Sequence, residues 1–201
     1  MSIARAQSSK KTASTDKKQA ILDTALTLFV EQGFHATSTA SIAKVASVAT
    51  GTLFHHFPSK EALMECLFLN IKQEFANELI GMLSPSGDLK QDAYQLWQAA
   101  IDWSLKQPLK QLFFQQYSMS PGIAADIRAQ AMHGILGFIG DLIHQGQQSQ
   151  QLADFPLSLM IENCHGQYLA ATRFFLDNPE YGKDQAYRQA SFELFWRAMA
   201  R

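Results

Sequence analysis

Between Thr37 and Lys60 the chain reads Thr-Ser-Thr-Ala-Ser-Ile-Ala-Lys-Val-Ala-Ser-Val-Ala-Thr-Gly-Thr-Leu-Phe-His-His-Phe-Pro-Ser-Lys. Two short helical patterns lie either side of a tight turn. The second can pack only through Leu53 and Phe57, which leaves Thr50, Gly51, Thr52, Phe54 and His55 on its outer side. Small and hydrogen-bonding groups on an exposed helix suit close approach to the edges of DNA bases, where bulk clashes and buried charge is costly. Any fold for this chain must therefore hold that helix at the surface.

The flanking sequence supplies the support. From Asp16 the pattern is helical, with Ile21, Leu22, Ala25, Leu28 and Phe29 on one face and Gly33 as a C-terminal cap. Ser38 or Thr39 caps the next helix, whose Ile42, Val45 and Ala46 are expected to face inward. Pro58-Ser59-Lys60-Glu61 opens a long helix that runs to about Leu83 through Leu63, Leu67, Ile71, Phe75 and Leu79. Further helices are expected at 89–106, 109–119, 122–148, 156–177 and 183–200, each closed by Pro, Gly or polar residues. The fold class is all-α, with about nine helices and no alternating strand pattern. Residues 1–15 are too polar to bury and read as a disordered basic arm. Its Arg5, Lys10 and Lys11, with Lys17 and Lys18 beyond it, are candidates for contact with the DNA backbone or minor groove.

The motif resembles the helix-turn-helix of the tetracycline-repressor (TetR) family of transcriptional regulators. Ile42 and Ala43 sit at the family's apolar and small positions, and Gly51, His56, Phe57, Ser59, Lys60, Glu61 and Leu63 match at the right spacing. Three positions depart. Ser47 stands where the turn usually has Gly, Ala49 replaces the usual N-cap Ser, and Phe54 replaces the usual Tyr. The resemblance implies a regulator whose Thr39, Ala49, Thr50, Gly51, Thr52, Phe54, His55, His56 and Lys60 meet double-stranded operator DNA. It also implies a homodimer, a small-molecule effector, and domains at 16–62 (DNA-binding) and 63–201 (ligand binding and dimerisation).

Charge agrees with that division. The chain is −1 overall, yet residues 1–62 hold seven Lys or Arg against four Asp or Glu, and residues 63–201 hold ten against fourteen. A basic head can release counterions from phosphates, while the acidic body has no such use. Cys66 and Cys164 are the two cysteines and lie far apart, so a reducing cytoplasm is expected. The first residues lack the apolar core of a signal peptide, and no run reaches the ~18 apolar residues of a membrane span.

The body is rich in aromatics. Those of its middle helices, Trp97, Trp103, Phe113, Phe114, Tyr117 and Phe138, share segments with polar or soft groups including Met132 and His133. Cys164, His165 and Tyr168 add to them from a later helix. Together they are the candidate lining of an apolar pocket with a few orienting polar groups, although most of the body's aromatics are expected to be ordinary core. Phe174, Phe175, Phe192, Phe195 and Trp196 give the final two helices wide apolar faces, read as a four-helix dimer interface. No cofactor or metal site is expected: His55-His56 and Cys164-His165 are adjacent pairs that point about 100° apart on a helix. The competing functions are a protein-interaction module that has lost DNA binding, suggested by Ala49 and Phe54, and a helical enzyme acting on an apolar substrate.

Overall fold

The structure, a computed structural model, describes residues 2–118 and 123–201. Among them are ten α-helices, one π-helical turn and one 3-10 turn, with no strand beyond a single antiparallel bridge between Leu152 and Ala200. The expected helix ends at Met119 and Gly122 lie outside the described residues.

Helices α1 (Ser2–Gln32), α2 (Thr39–Val45) and α3 (Thr50–His56) form the head. The α1 helix starts earlier than the sequence suggests, running through the segment expected to be a disordered arm. Residues 2–15 contain neither Gly nor Pro, so nothing in the backbone interrupts it. The expected inner face is buried, led by Ile21, Ala25 and Phe29, and Gly33 ends the helix at φ +82°. Ser38 caps α2 in a reciprocal pair with Ser41. One inward expectation fails: Val45 is 62% exposed, because Ile42, Ala43 and Ala46 already fill the narrow inner arc of so short a helix.

Helix α4 (Lys60–Met82) is capped by the Ser59 hydroxyl, which accepts from the Ala62 N–H at 3.0 Å. Its 23 residues span about 35 Å. Two neighbouring rows are buried, Leu63–Leu67–Ile71 and Met64–Phe68–Lys72–Ala76, so the helix lies between head and body rather than on a surface. The body adds α5 (Leu89–Lys106), α6 (Pro108–Tyr117), α7 (Ala125–Ala129), a π-turn (Gln130–Ile135), α8 (Gly137–Gln148), α9 (Leu157–Asp177) and α10 (Gln185–Met199). The one helix expected over 122–148 is thus divided. At the π-turn the Leu136 N–H donates to the Ala131 carbonyl, five residues back, at 3.0 Å, with Gly134 and Gly137 lowering the local helix preference.

Polar contacts fix the body and join it to the head. The Tyr117 hydroxyl of α6 donates to the Phe29 carbonyl of α1 at 2.8 Å. Gln111 donates to Thr172 at 2.7 Å and accepts from the Tyr168 hydroxyl at 2.6 Å, which ties α6 to α9. The Trp97 indole donates to Ser191, and Arg188 pairs with Asp102, which holds α10 on α5. Gly146 of α8 is a close approach. A Cβ there would lie 2.6 Å from Leu152 and from Leu89, so no larger residue fits without displacement.

Candidate functional site

The α3 helix is anchored by Leu53 and by Phe57 just beyond its end, both buried against the head's core. Thr50, Gly51 and His55 are exposed, Phe54 is 46% exposed, and Thr52 and His56 are half-covered. The outer row expected from the sequence is therefore brought together on one solvent-facing side. Ala49 makes no side-chain cap; the Thr52 N–H turns back to the Ala49 carbonyl at 2.8 Å, and no capping side chain serves the N–H groups of Thr50 and Gly51 among the described residues. Ser47 makes the preceding turn at φ +56°, a left-handed conformation that a Gly would adopt without strain. Lys17 and Lys18 of α1 lie close enough to His56 to help lower its pKa, after desolvation and the neighbouring His55. The face is consequently cationic or neutral, which suits a polyanion.

Lys60 is placed differently from a free phosphate ligand. Its ammonium donates to the Phe34 carbonyl at 2.7 Å and to the Thr37 carbonyl at 2.9 Å, and it sits 4.3 Å from the Phe34 ring centre. Thr37 in turn donates to the Leu28 and Gly33 carbonyls. The start of α4 is thereby clamped to the α1–α2 loop, with one ammonium proton not used by these two bonds.

Inside the body is an apolar chamber of about 120 Å³. It is walled by α4 (Phe75, Leu79), α5 (Trp97), the π-turn and α8 (Met132, Ile143), α9 (Ile161, Tyr168) and α10 (Phe195). That size is comparable with an engineered cavity of about 150 Å³ that admits benzene. A second cavity of about 380 Å³ adjoins it, lined by Phe68, Ser118, Arg128, His133 and Glu162 among others. Three residues, Lys72, Met132 and His165, line both.

Of the residues expected in a pocket, Trp97, Met132, Cys164, His165 and Tyr168 line the chamber, and His133 lines the adjoining cavity. Trp103, Phe113, Phe114 and Tyr117 do not; they are core, with Trp103 stacked on Phe114 and Phe113 packed on Tyr117. Phe138 is partly buried against that core and lines neither cavity. Burial pushes the Cys164 thiol up to about 12, so it is an inert wall group.

Lys72 was missed by sequence reasoning. It is 1% exposed, its ammonium lies 4.1 Å from the Phe114 ring centre, and it has no ion pair or hydrogen bond among the described residues. Burial lowers its pKa to about 7. The signal was present: Lys72 interrupts the apolar i, i+4 row Met64–Phe68–Ala76.

The expected dimer residues also divide. Phe175 and Phe192 are buried inside the protomer, and Phe195 and Trp196 face the chamber, Phe195 stacked on Trp97 at 4.6 Å. Phe174 alone of the five is exposed, at 40%. What α9 and α10 do present to solvent is another row, Leu159, Gly166, Ala170 and Phe174 on α9 with Tyr187, Ala190 and Leu194 on α10. Beside it, Tyr181 of the 3-10 turn stacks nearly parallel with Phe174 and Tyr187. Among the described residues no group of three or more His, Cys, Asp or Glu could hold a metal ion, and no helix is long and apolar enough to cross a membrane.

An exposed reading helix after a tight turn, carried on a helical body, defines a helix-turn-helix transcriptional regulator. Residues 21–67 match the bacterial regulatory proteins of the tetR family. A solved tetR family transcription regulator from Shewanella sp. PV-4 is 65% identical, with a TM-score of 0.91 over 92% of this chain and 98% of that one. The HTH-type transcriptional regulator YhgD of Bacillus subtilis is 27% identical over 137 residues, 68% of this chain and 72% of that protein. UidR of Escherichia coli K12, another HTH-type regulator, is 47% identical over 49 residues, a quarter of each chain. This chain belongs to the tetR family.

Proposed function

We propose that the protein is a ligand-responsive repressor that binds a twofold operator as a homodimer. On this reading residues 16–62 are the DNA-binding unit and residues 63–201 the ligand-binding and dimerisation unit, with the division inside α4. The observation that carries it is α4 itself. Its first residue, just past the reading helix, is clamped to the α1–α2 loop, while Lys72, Phe75 and Leu79 on the same rod wall the chamber. A ligand that fits one position of α4 better than another must bias the reading helix by that difference in affinity. Thr50, Gly51 and His55 are the base-facing candidates, and the N–H groups of the uncapped first turn of α3 are donors to a phosphate oxygen. The exposed row on α9 and α10 is the dimer surface, small at Gly166, Ala170 and Ala190 where helices approach and large at Phe174 and Leu194.

The test uses a duplex selected in vitro from random sequence by the purified protein. Sedimentation should give a dimer that binds a palindrome with half-sites about one helical turn apart. Leu194→Glu, a change at a side chain 73% exposed in the protomer, should give a folded monomer with much weaker operator binding. A monomer in the wild type, still monomeric on the selected duplex, would sink the reading.

A further inference from the structure

Three buried polar groups without partners converge on one place. Among the described residues, Lys72 presents an ammonium that meets the Phe68 and Phe114 ring faces without a hydrogen bond or ion pair, and His165 Nε2 and Ser118 Oγ are both buried with no hydrogen-bond partner. All three line the cavity that adjoins the apolar chamber, and Lys72 and His165 also line the chamber. Native interiors rarely leave such groups unsatisfied, and each orphaned group costs stability unless something else supplies the acceptor. The missing partner must accept hydrogen bonds and carry one negative charge, and it must continue into hydrocarbon to fill the chamber.

Resting on the ligand-responsive reading above, we propose that the effector is an amphipathic monocarboxylate. Its carboxylate sits at the junction of the two cavities between Lys72 and His165, with Ser118 alongside, and its short aliphatic or aryl tail enters the chamber. One buried ammonium balances one negative charge, so a phosphate dianion would leave charge uncompensated. The surroundings support an anion. The titratable groups that line these cavities with Lys72 are His165, Cys164, Tyr168 and Glu162 from α9, Arg128 from α7 and His133 from the π-turn; among the described residues the end of α6 contributes Ser118 and no titratable group. Glu162 is the one acid among them, and it is exposed. Arg128 already donates to the Ile123 carbonyl, so it borders the junction as a structural cation. His165 is held neutral, its pKa lowered to about 3 by burial and by Lys72, and can donate one N–H without adding charge.

This assignment has a pH signature. Lys72, with its pKa lowered by burial to about 7, is increasingly neutral in the free protein as pH rises above 7, whereas a bound carboxylate requires the ammonium. Carboxylate binding therefore takes up a proton and weakens about tenfold per pH unit above 7.

The experiment titrates hexanoate, octanoate, decanoate and 4-phenylbutyrate, each beside its primary amide, into the full chain, following the fluorescence of Trp97 and Trp196. At least one carboxylate should bind about 10- to 100-fold tighter than its amide, as a charge-assisted contact requires. Lys72→Met should abolish that preference and the pH dependence. Equal binding of acid and amide, no binding by any member, or a preference that survives in Lys72→Met overturns the inference. Operator affinity measured in parallel separates the two readings. Carboxylate binding that depends on Lys72 yet leaves operator affinity unchanged supports the site and removes the regulatory reading. An amide that lowers operator affinity as well as its acid does the reverse.

Discussion

Replacing Lys72 by Met should stabilise the protein, by an amount that depends on pH. The unfolded chain holds the lysine proton up to its ordinary pKa of 10.5, whereas burial brings the folded value to about 7. Between those values the unfolded state binds more protons, so this group makes stability rise with pH and is most costly at and below 7. At about 1.36 kcal/mol per pKa unit, the cost is about 4 kcal/mol at pH 7 and about 2 kcal/mol at pH 9. Met keeps the length of the side chain and places sulfur against the Phe68 and Phe114 rings, a favourable contact. Urea unfolding followed by tryptophan fluorescence at both pH values should show the variant ahead, with its lead roughly halved at pH 9. Above that pH the raised pKa values of Cys164 and Tyr168, both caused by burial, lower stability in both proteins and cancel in the difference. A variant no more stable than the wild type at pH 7, or a lead that does not shrink, would falsify the argument that Lys72 is an uncompensated buried cation.

Three further outcomes are expected. Ser47→Gly should stabilise the protein by about 0.5–1 kcal/mol, because Gly adopts φ +56° without the Cβ penalty; a loss on urea titration would mean the Ser47 side chain compensates. Lys60→Ala removes the donor to the Phe34 and Thr37 carbonyls, so affinity for every duplex should fall together with thermal stability while base preference stays unchanged. A shifted preference in a binding-site selection would show instead that Lys60 reads sequence. Gly146→Ala forces a Cβ against Leu152 and Leu89, with an expected cost of about 1–3 kcal/mol and a lower melting temperature; an unchanged melting temperature would show that both leucines yield freely.

The reading head was legible because its information is local. A helix of seven residues has room for one anchor row, so Leu53 and Phe57 fix which side of α3 faces out, and the cap and turn departures at Ala49 and Ser47 follow from single positions. The body was legible as helices but not as a site. Nothing in a lone sequence separates an aromatic that walls a cavity from one that fills a core. Trp97 and Trp103, six residues apart on α5, are both buried, yet only Trp97 lines the chamber. The same ambiguity put Phe195 and Trp196 on a dimer surface, because a helix buried on one side and exposed on another carries apolar residues on both. The π-turn adds a shift that a regular 3.6-residue repeat cannot foresee, and it sets where Met132 and His133 fall. Lys72 was overlooked for the opposite reason: a charged residue among apolar neighbours reads as the solvated edge of a helix until packing is known on every side.

The bridge between Leu152 and Ala200 gives the chamber a ruler. The Ala153 N–H donates to the Met199 carbonyl and the Arg201 N–H to the Gln151 carbonyl, at 3.0 and 3.1 Å, so residues 199–201 are latched across the turn after α8. Leu152 and Met199 both wall the chamber, and neither reaches the adjoining cavity where Lys72, His165 and Ser118 meet. A tail that reaches them presses on two residues of one buried apolar cluster, which the two backbone hydrogen bonds pin across the turn. Discrimination by tail length then falls to this bridge, and removing residues 199–201 would lengthen what the chamber accepts without altering any group that lines the adjoining cavity.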